Sequence, residues 1–554
     1  MKRAFELLIA CALAWSILAC TPAQQGGAGG GQGSEQEPKY GGVLRYYSGG
    51  FAPNVHPYTN AGTGTSIVVR PGYEPLLKTY QFGEATAATP EGSVGPWLAE
   101  SWTNPNPTTY VFKIRQGVKW HDGKDFTAQD VVFTWDYLLK NKGQYTQASS
   151  LGGVQSFRAI DAYTVEVVSK IVDADFLSTV VAPVIIPKHV VEAGTDLTQV
   201  YVGTGPFKIK DFNTARGPVH VRNENYWHKG TPYLDGIIGY YNMDRSAMIA
   251  AMTVGMLDLF KPDNDPQFEA TKAAVPNLGY LGLARAYNWT VFMKLTQPPF
   301  NDVRVRKAMD LAIDRQAMSS LLGAGKGVIH PPVVFGWDPF SLSQEELLKL
   351  PGYNPATKQQ DIAEAKRLLA EAGYPNGFKT SVIYSGQNSG TGPVAEMINT
   401  QLKPIGIDLV LRPVDNNLFS EQVLLKGDFE VMMTGSGAAN LGIAFGQNLR
   451  TGGPGNKLGL SDPVLDDLID RQAVVLDEKE RKSIVQQIQR RIYDNHYVLA
   501  SVDPLGYTVW QPWVHNFAIT RGNQVYPSYT PSIIWLDTSM MPQGRLKEDA
   551  DAMK

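Results

Sequence analysis

Few residues in this chain have types and spacings that could do chemistry. His121, Asp122 and Asp125 lie close enough in sequence to offer the donors of a metal site. Met243, Met248, Met252 and Met256 recur near every fourth residue and present thioethers, the soft ligands that favour Cu(I). Gly323-Ala324-Gly325-Lys326-Gly327 has the glycines and lysine of a phosphate loop. Each falls short of a site. The glycine run lacks the four-residue spacer, and the Ser or Thr after Lys, that cradle phosphate and hold Mg²⁺, so its glycines end the preceding helix. The methionine spacing is also that of a buried helical stripe, with neither Cys nor clustered His beside it. His121-Asp122-Gly123 supplies turn chemistry, because Gly tolerates positive φ and Asp bonds to nearby backbone. The chain contains no G-x-S-x-G and no H-E-x-x-H, and its two cysteines, Cys11 and Cys20, both fall within the first 20 residues. No catalytic residue, metal or other cofactor is expected.

The chain start has a different purpose. Lys2 and Arg3 precede an apolar run of roughly a dozen residues, the pattern of an export signal and too short to span a membrane comfortably. Ile17-Leu18-Ala19-Cys20 resembles a bacterial lipobox, which makes Cys20 the expected lipid attachment; an ordinary cleaved signal with an incidental Cys is the alternative. Residues 21–38, rich in Gly, Gln, Ser and Glu, read as a flexible tether. About 500 residues follow, more than one core usually holds, so two or three lobes are expected. With 43% hydrophobic residues and a net charge of −3, the chain is globular and lacks the basic surface that a nucleic-acid partner calls for.

The elements are legible in places. Tyr110, Phe112 and Ile114 alternate with polar or smaller residues over 109–115, the period of a strand with one buried face. Thr127 can cap a helix with Asp130 in its first turn, followed by Val131, Val132, Trp135, Leu138 and Leu139 at helical spacing. Residues 380–384 and 408–412 read as strands flanking a helix at 394–402, a βαβ unit with parallel strands. Helices are expected at 245–257, 361–373, 463–473 and 478–494, the first carrying the methionines. Arg304, Arg306 and Lys307 share a helix with Asp310 and Asp314, and the spacing suggests a solvated, ion-paired face.

As a string, Gly95 to Lys140 resembles the signature region of the family 5 extracellular solute-binding proteins, the peptide and nickel receptors of ABC importers. The tracts Gly117-Val118-Lys119-Trp120-His121-Asp122-Gly123 and Phe126-Thr127-Ala128-Gln129-Asp130-Val131 carry that likeness. Further tracts extend it: Thr204 to Ile209, Asn223 to Trp227, Pro298 to Ala308 with Ala312 to Arg315, and Trp510 to Phe517.

The resemblance implies an α/β, two-lobed periplasmic-binding-protein type II fold with an additional inserted subdomain. Lobe I is expected from 39–70, 200–285 and 501–543, the subdomain from 71–199, lobe II from 286–500, and a polar tail from 544–554. It also implies a small solute, foremost an oligopeptide, bound between the lobes, and a monomer that delivers it to an ABC permease and ATPase complex. Such a protein is exported to the periplasm or the outer face of the cell membrane and held by a lipid anchor. Receptors for oligosaccharide or metal chelate are alternatives, and a secreted hydrolase is the alternative of another class. The cleft contacts expected are Asn54, His56, Tyr58, Tyr287, Trp289, Ser436, Gly437 and Asn440, because aromatic faces and polar tips suit ligand pockets. Peptide-binding relatives carry an Asp for the ligand ammonium in the loop that corresponds to Thr434–Leu441, and no carboxylate stands there in this chain. An ammonium buried without countercharge is costly, so another acid, such as Asp415, Asp428 or Asp503, must approach or the ligand must lack that group.

Overall fold

A computed structural model describes residues 37–47, 52–59, 68–80, 93–241, 243–262, 265–284, 288–322, 328–329, 331, 340–386, 390–436, 441–503, 505–517 and 532–554. The first strand, β1 (Val43–Tyr47), is buried from Val43 to Tyr46, as a strand covered on both faces must be.

The chain then builds a unit of its own. Strands β2 (Ala99–Asn106), β3 (Thr109–Ile114), β4 (Val154–Asp161) and β5 (Thr164–Ser169) form an antiparallel sheet in the order β2-β3-β5-β4. Tyr110, Phe112 and Ile114 are its buried face, as the alternation requires, and helix α1 (Ala128–Lys140) covers that core with Val131, Trp135 and Leu138. The Asp130 carboxylate reaches back to accept from the Thr127 amide at 2.9 Å and also accepts from the Lys188 amide at 3.2 Å, so one acid ends two segments. A short helix, α2 (Phe176–Val180), completes the unit.

Glu74 joins this subdomain to lobe I. Its buried carboxylate accepts from Trp97 Nε1 (2.8 Å), Thr204 Oγ1 (2.8 Å), Tyr226 Oη (2.7 Å) and Trp227 Nε1 (3.0 Å). Burial raises its pKa against the pull of those four donors. Close backbone contact marks the same seam. A Cβ on Gly203 would lie 1.8 Å from the Gly72 carbonyl oxygen, which is why glycine stands there.

Lobe I continues with β6 (Phe207–Asn213), β7 (Gly217–Arg222), β8 (Gly236–Tyr240), helix α3 (Arg245–Thr253), β9 (Leu259–Phe260) and β10 (Gly279–Ala284). β16 (Leu505–Trp510) returns from the far end of the chain to complete a seven-stranded sheet in the order β10-β16-β9-β1-β8-β7-β6. Met248 and Met252 are buried beside Phe268 and Val509, which makes them core.

Lobe II has a five-stranded sheet: β11 (Asn288–Met293), β12 (Phe378–Ser385), β13 (Ile407–Val414), β14 (Val431–Ser436) and β15 (Val498–Ala500), ordered β13-β12-β14-β11-β15. β12 and β13 pair in parallel across helix α6 (Thr391–Leu402), which is the expected βαβ unit. Helices α4 (Val303–Ala312), α5 (Lys358–Glu371), α7 (Pro463–Val474) and α8 (Glu478–Asp494) pack around it.

Two sequence expectations fail here. The solvated face proposed for α4 is divided. Arg304 is exposed and pairs with Asp302, but the Arg306 guanidinium is buried and donates to the carbonyls of Phe300, Asn495 and His496. Asp310 is buried between Arg315 and His496; burial raises its pKa, yet those two partners hold it down at about 2. The helical period gives neighbours on one element only, whereas these partners lie outside the helix, Asn495 and His496 at 189 and 190 positions from Arg306. The residues read as a polar tail form helix α9 (Gln543–Met553), whose Arg545 and Asp549 are buried against lobe I. Among the described residues, no helix is long and apolar enough to cross a membrane.

Candidate functional site

The sheet registers determine which strand edges can face a ligand. In lobe I, β8 and β9 lie parallel to β1, so Tyr47, Tyr240 and Phe260 end at one edge. In lobe II, β12 lies parallel to β13 and β14, so Ser385, Val414 and Ser436 end at one edge. Among the described residues, the chain ends in lobe I at Ala284 and resumes in lobe II at Asn288, and it ends in lobe II at Asp503 and resumes in lobe I at Leu505. Ala284 pairs with Leu505 on one side, and Ser436 pairs with Asn288 on the other. The first crossover therefore leaves lobe I for lobe II and the second returns, both at the edges where the parallel strands end. In open α/β sheets a ligand binds in the crevice outside those carboxyl ends. Two such edges joined by two crossovers make the interlobe cleft the candidate site.

Asn54, His56 and Tyr58 follow β1 at the lobe I edge, but the Asn54 side-chain oxygen, the His56 ring and the Tyr58 hydroxyl are engaged within the protein. Asn54 Oδ1 accepts from the His56 amide (3.0 Å) and Thr59 Oγ1 (2.8 Å). His56 Nδ1 accepts from the Tyr58 amide at 3.0 Å, so the neutral ring carries its proton on Nε2, which lies 3.3 Å from the Tyr145 hydroxyl. The Tyr58 hydroxyl donates to the Val184 carbonyl. Burial lowers the His56 pKa to about 4, against a nearby Asp196, and the imidazole is neutral at pH 7. The loop fastens the subdomain to lobe I, with Ala52 and Val55 in the lobe I core and Tyr58 in the subdomain core.

Trp289 lies next to the first crossover, in β11. It is buried, its carbonyl accepts from the Ser501 amide at 3.0 Å, and a Cβ on Gly390 would lie 2.7 Å from its Cζ2. Gly390→Ala should therefore displace the indole and shift its fluorescence; an unchanged emission spectrum would show that the ring has room. The Ser436 backbone pairs with Asn288 at the edge. Tyr287, Gly437, Asn440 and the lipid-attachment candidate Cys20 lie outside the described residues. Of the three acids that could replace the missing carboxylate, Asp428 stands before β14, at the opposite end from the cleft edge, and the Asp503 side chain lies outside the description. Asp415 directly follows β13 at the cleft edge, where its Oδ1 accepts from the amides of Asn417 and Leu418.

The residues that imitated a metal cluster have separate tasks. His121 Nε2 lies 3.0 Å from the Gly205 carbonyl and its Nδ1 accepts from the Gly203 amide. Asp122 pairs with His189 at 2.6 Å, and Asp125 with Lys119 at 2.6 Å. All three side chains are engaged within the protein.

Sequence reasoning missed the seam between the subdomain and lobe II, where Asp175 and Arg481 have their nearest atoms 2.8 Å apart. The two are 306 positions apart, and no local pattern links them.

The model of the bacterial extracellular solute-binding proteins, family 5 middle region, matches residues 93–454. The chain belongs to this family. Among curated relatives, it is 28% identical over 342 residues to the glutathione-binding protein GsiB of Salmonella paratyphi A, covering 60% of this chain and 64% of that one. It is 30% identical over 350 residues to the heme-binding protein A of Haemophilus influenzae, covering 57% of this chain and 61% of that one. The match thus spans less than two thirds of either relative. Among solved structures, a putative peptide-binding protein AppA from Clostridium difficile aligns with a TM-score of 0.76 and 21% identity, covering 90% of this chain and all of that one. The fold is that of the type II periplasmic binding proteins.

Proposed function

We propose that this family 5 chain is the substrate-capturing component of an ABC importer. It takes up an oligopeptide or similar solute between its lobes and delivers it to a membrane permease and its ATPase. The observation that carries the reading is the pair of carboxyl-end strand edges joined by two crossovers. A ligand touching both edges binds the closed arrangement better than the open one, and only that difference can shift the population. The names of the relatives support small solutes that include peptides: glutathione is one, and heme, a metal chelate, is the second class kept open.

In this reading Tyr287, Trp289, Ser436, Gly437 and Asn440 form the lobe II wall, and Asn54, His56 and Tyr58 support the opposite wall. Asp415 takes the place of the acid missing from 434–441. Asp415→Asn should then weaken a peptide with a free ammonium by roughly tenfold or more and leave its N-acetylated form unchanged; equal effects on both would remove Asp415 from the site. The protein is exported, lipidated at Cys20, tethered through residues 21–38, monomeric and without catalytic activity. Incubation with a defined peptide pool tests this: peptides should be retained uncut, and time-dependent cleavage would establish the hydrolase instead. Oligosaccharide is favoured over peptide only by the neutral loop.

A further inference from the structure

Asp175 occupies the N-cap position of α2, yet its carboxylate accepts nothing from its own helix. An N-cap Asp normally accepts from the second or third amide of the helix. Here both oxygens reach across to lobe II. Oδ1 accepts from Arg481 Nη2 at 2.8 Å, and Oδ2 accepts from the Gly442 amide at 2.9 Å. One residue earlier, the Ala174 amide donates to the Ala473 carbonyl at 2.8 Å.

Each side holds its half of the contact in place. Asp173 Oδ1 accepts from the Asp175 amide at 2.9 Å and orients the turn, while Arg481 is steadied by the Gln472 carbonyl at 3.2 Å and the Gln472 side chain. The Arg481 and Asp175 side chains are only 10% and 14% exposed, so solvent screens the pair weakly. Arg481 lies in α8, and Gly442 lies just beyond the β14 edge of the cleft.

From this arrangement we infer that Asp175 is a positioning residue for solute capture. It is the latch by which the inserted subdomain grips lobe II and sets the balance between closed and open forms. Its carboxylate forgoes a helix cap to make a contact that exists only when the lobes meet. The latch lies outside the strand edges that face the solute, so it acts whatever that solute is, and its test needs no ligand.

The chain has no cysteine after Cys20, so Ala174→Cys with Ala473→Cys places the only two thiols beyond that point on residues joined by a backbone hydrogen bond, a separation suited to a disulfide. In the full-length mature protein this pair should oxidise within one molecule, at a rate independent of protein concentration. Adding Asp175→Asn or Arg481→Gln should each slow that oxidation about tenfold, in proteins that still unfold cooperatively in urea and so remain folded. Failure of the parent pair to cross-link, a rate proportional to concentration, or equal rates in parent and variants would each overturn the latch.

Discussion

Replacing Arg545 by Met is expected to destabilise the chain by about 3–5 kcal/mol, the range seen when one partner of a buried ion pair is removed. Arg545 and Asp258 are both fully buried. The guanidinium donates to Asp258 Oδ1 (2.7 Å), to Asp258 Oδ2 (2.5 Å), and to the carbonyls of Gly255 (2.7 Å) and Val43 (2.9 Å). Asp258 also accepts from Trp513 Nε1 and the Arg45 amide, both at 2.7 Å. One carboxylate therefore ties together β1, the turn before β9, the segment after β16, and α9. Without Arg545 that fully buried carboxylate loses the cation it pairs with. Urea unfolding measures the loss. Asp258→Asn together with Arg545→Met should be less destabilising than the two single losses added, because the orphaned charge has gone. Strict additivity would mean that the pair contributes packing alone.

The second large effect is on acid stability. His56, His121 and His220 are buried near the junction of lobe I and the subdomain, and burial lowers each pKa to about 4. His220 donates through Nε2 to the Val68 carbonyl at 3.1 Å, so all three rings are held neutral with the proton on Nε2. An unfolded histidine titrates near 6.5. Above that pH neither state binds a proton and stability does not depend on these groups. Between 6.5 and 4 the unfolded chain binds protons that the folded chain refuses, so stability falls as pH falls. Each ring contributes up to about 1.4 kcal/mol per pH unit, and the three together about 4. Glu74 and Asp130, whose pKa values burial raises, act in the opposite sense. Comparison with variants isolates the histidines: each His→Gln change should reduce the slope of stability against pH in this window by about one proton. A slope unchanged in all three variants would exclude the histidines as the source.

What the sequence reveals and what it hides divide along physical lines. The strand at 109–114, the Thr127–Asp130 helix start and the βαβ unit of lobe II depend on neighbours within a few residues, and period and capping express them directly. Arg306 and Asp310 look like surface charges on α4 because the carbonyls of Asn495 and His496, and the side chains of His496 and Arg315, come from outside that helix. The last residues look like a polar tail because the groups that bury Arg545 and Asp549 are Asp258 and Arg45, hundreds of positions earlier. The cleft shows the same division. The strand that carries Trp289 follows from its sequence, but His56 lies beside the Tyr137 and Tyr145 hydroxyls of the subdomain, and the contact of Asp175 with Arg481 has no signature at all.

The most direct measurement is mass spectrometry of whatever the purified, natively expressed protein releases on gentle denaturation. Oligopeptides recovered in near-stoichiometric amount, and lost from an Asp415→Asn protein when they carry a free ammonium, would agree with solute capture in the interlobe cleft as proposed. Recovery of oligosaccharide alone would contradict it.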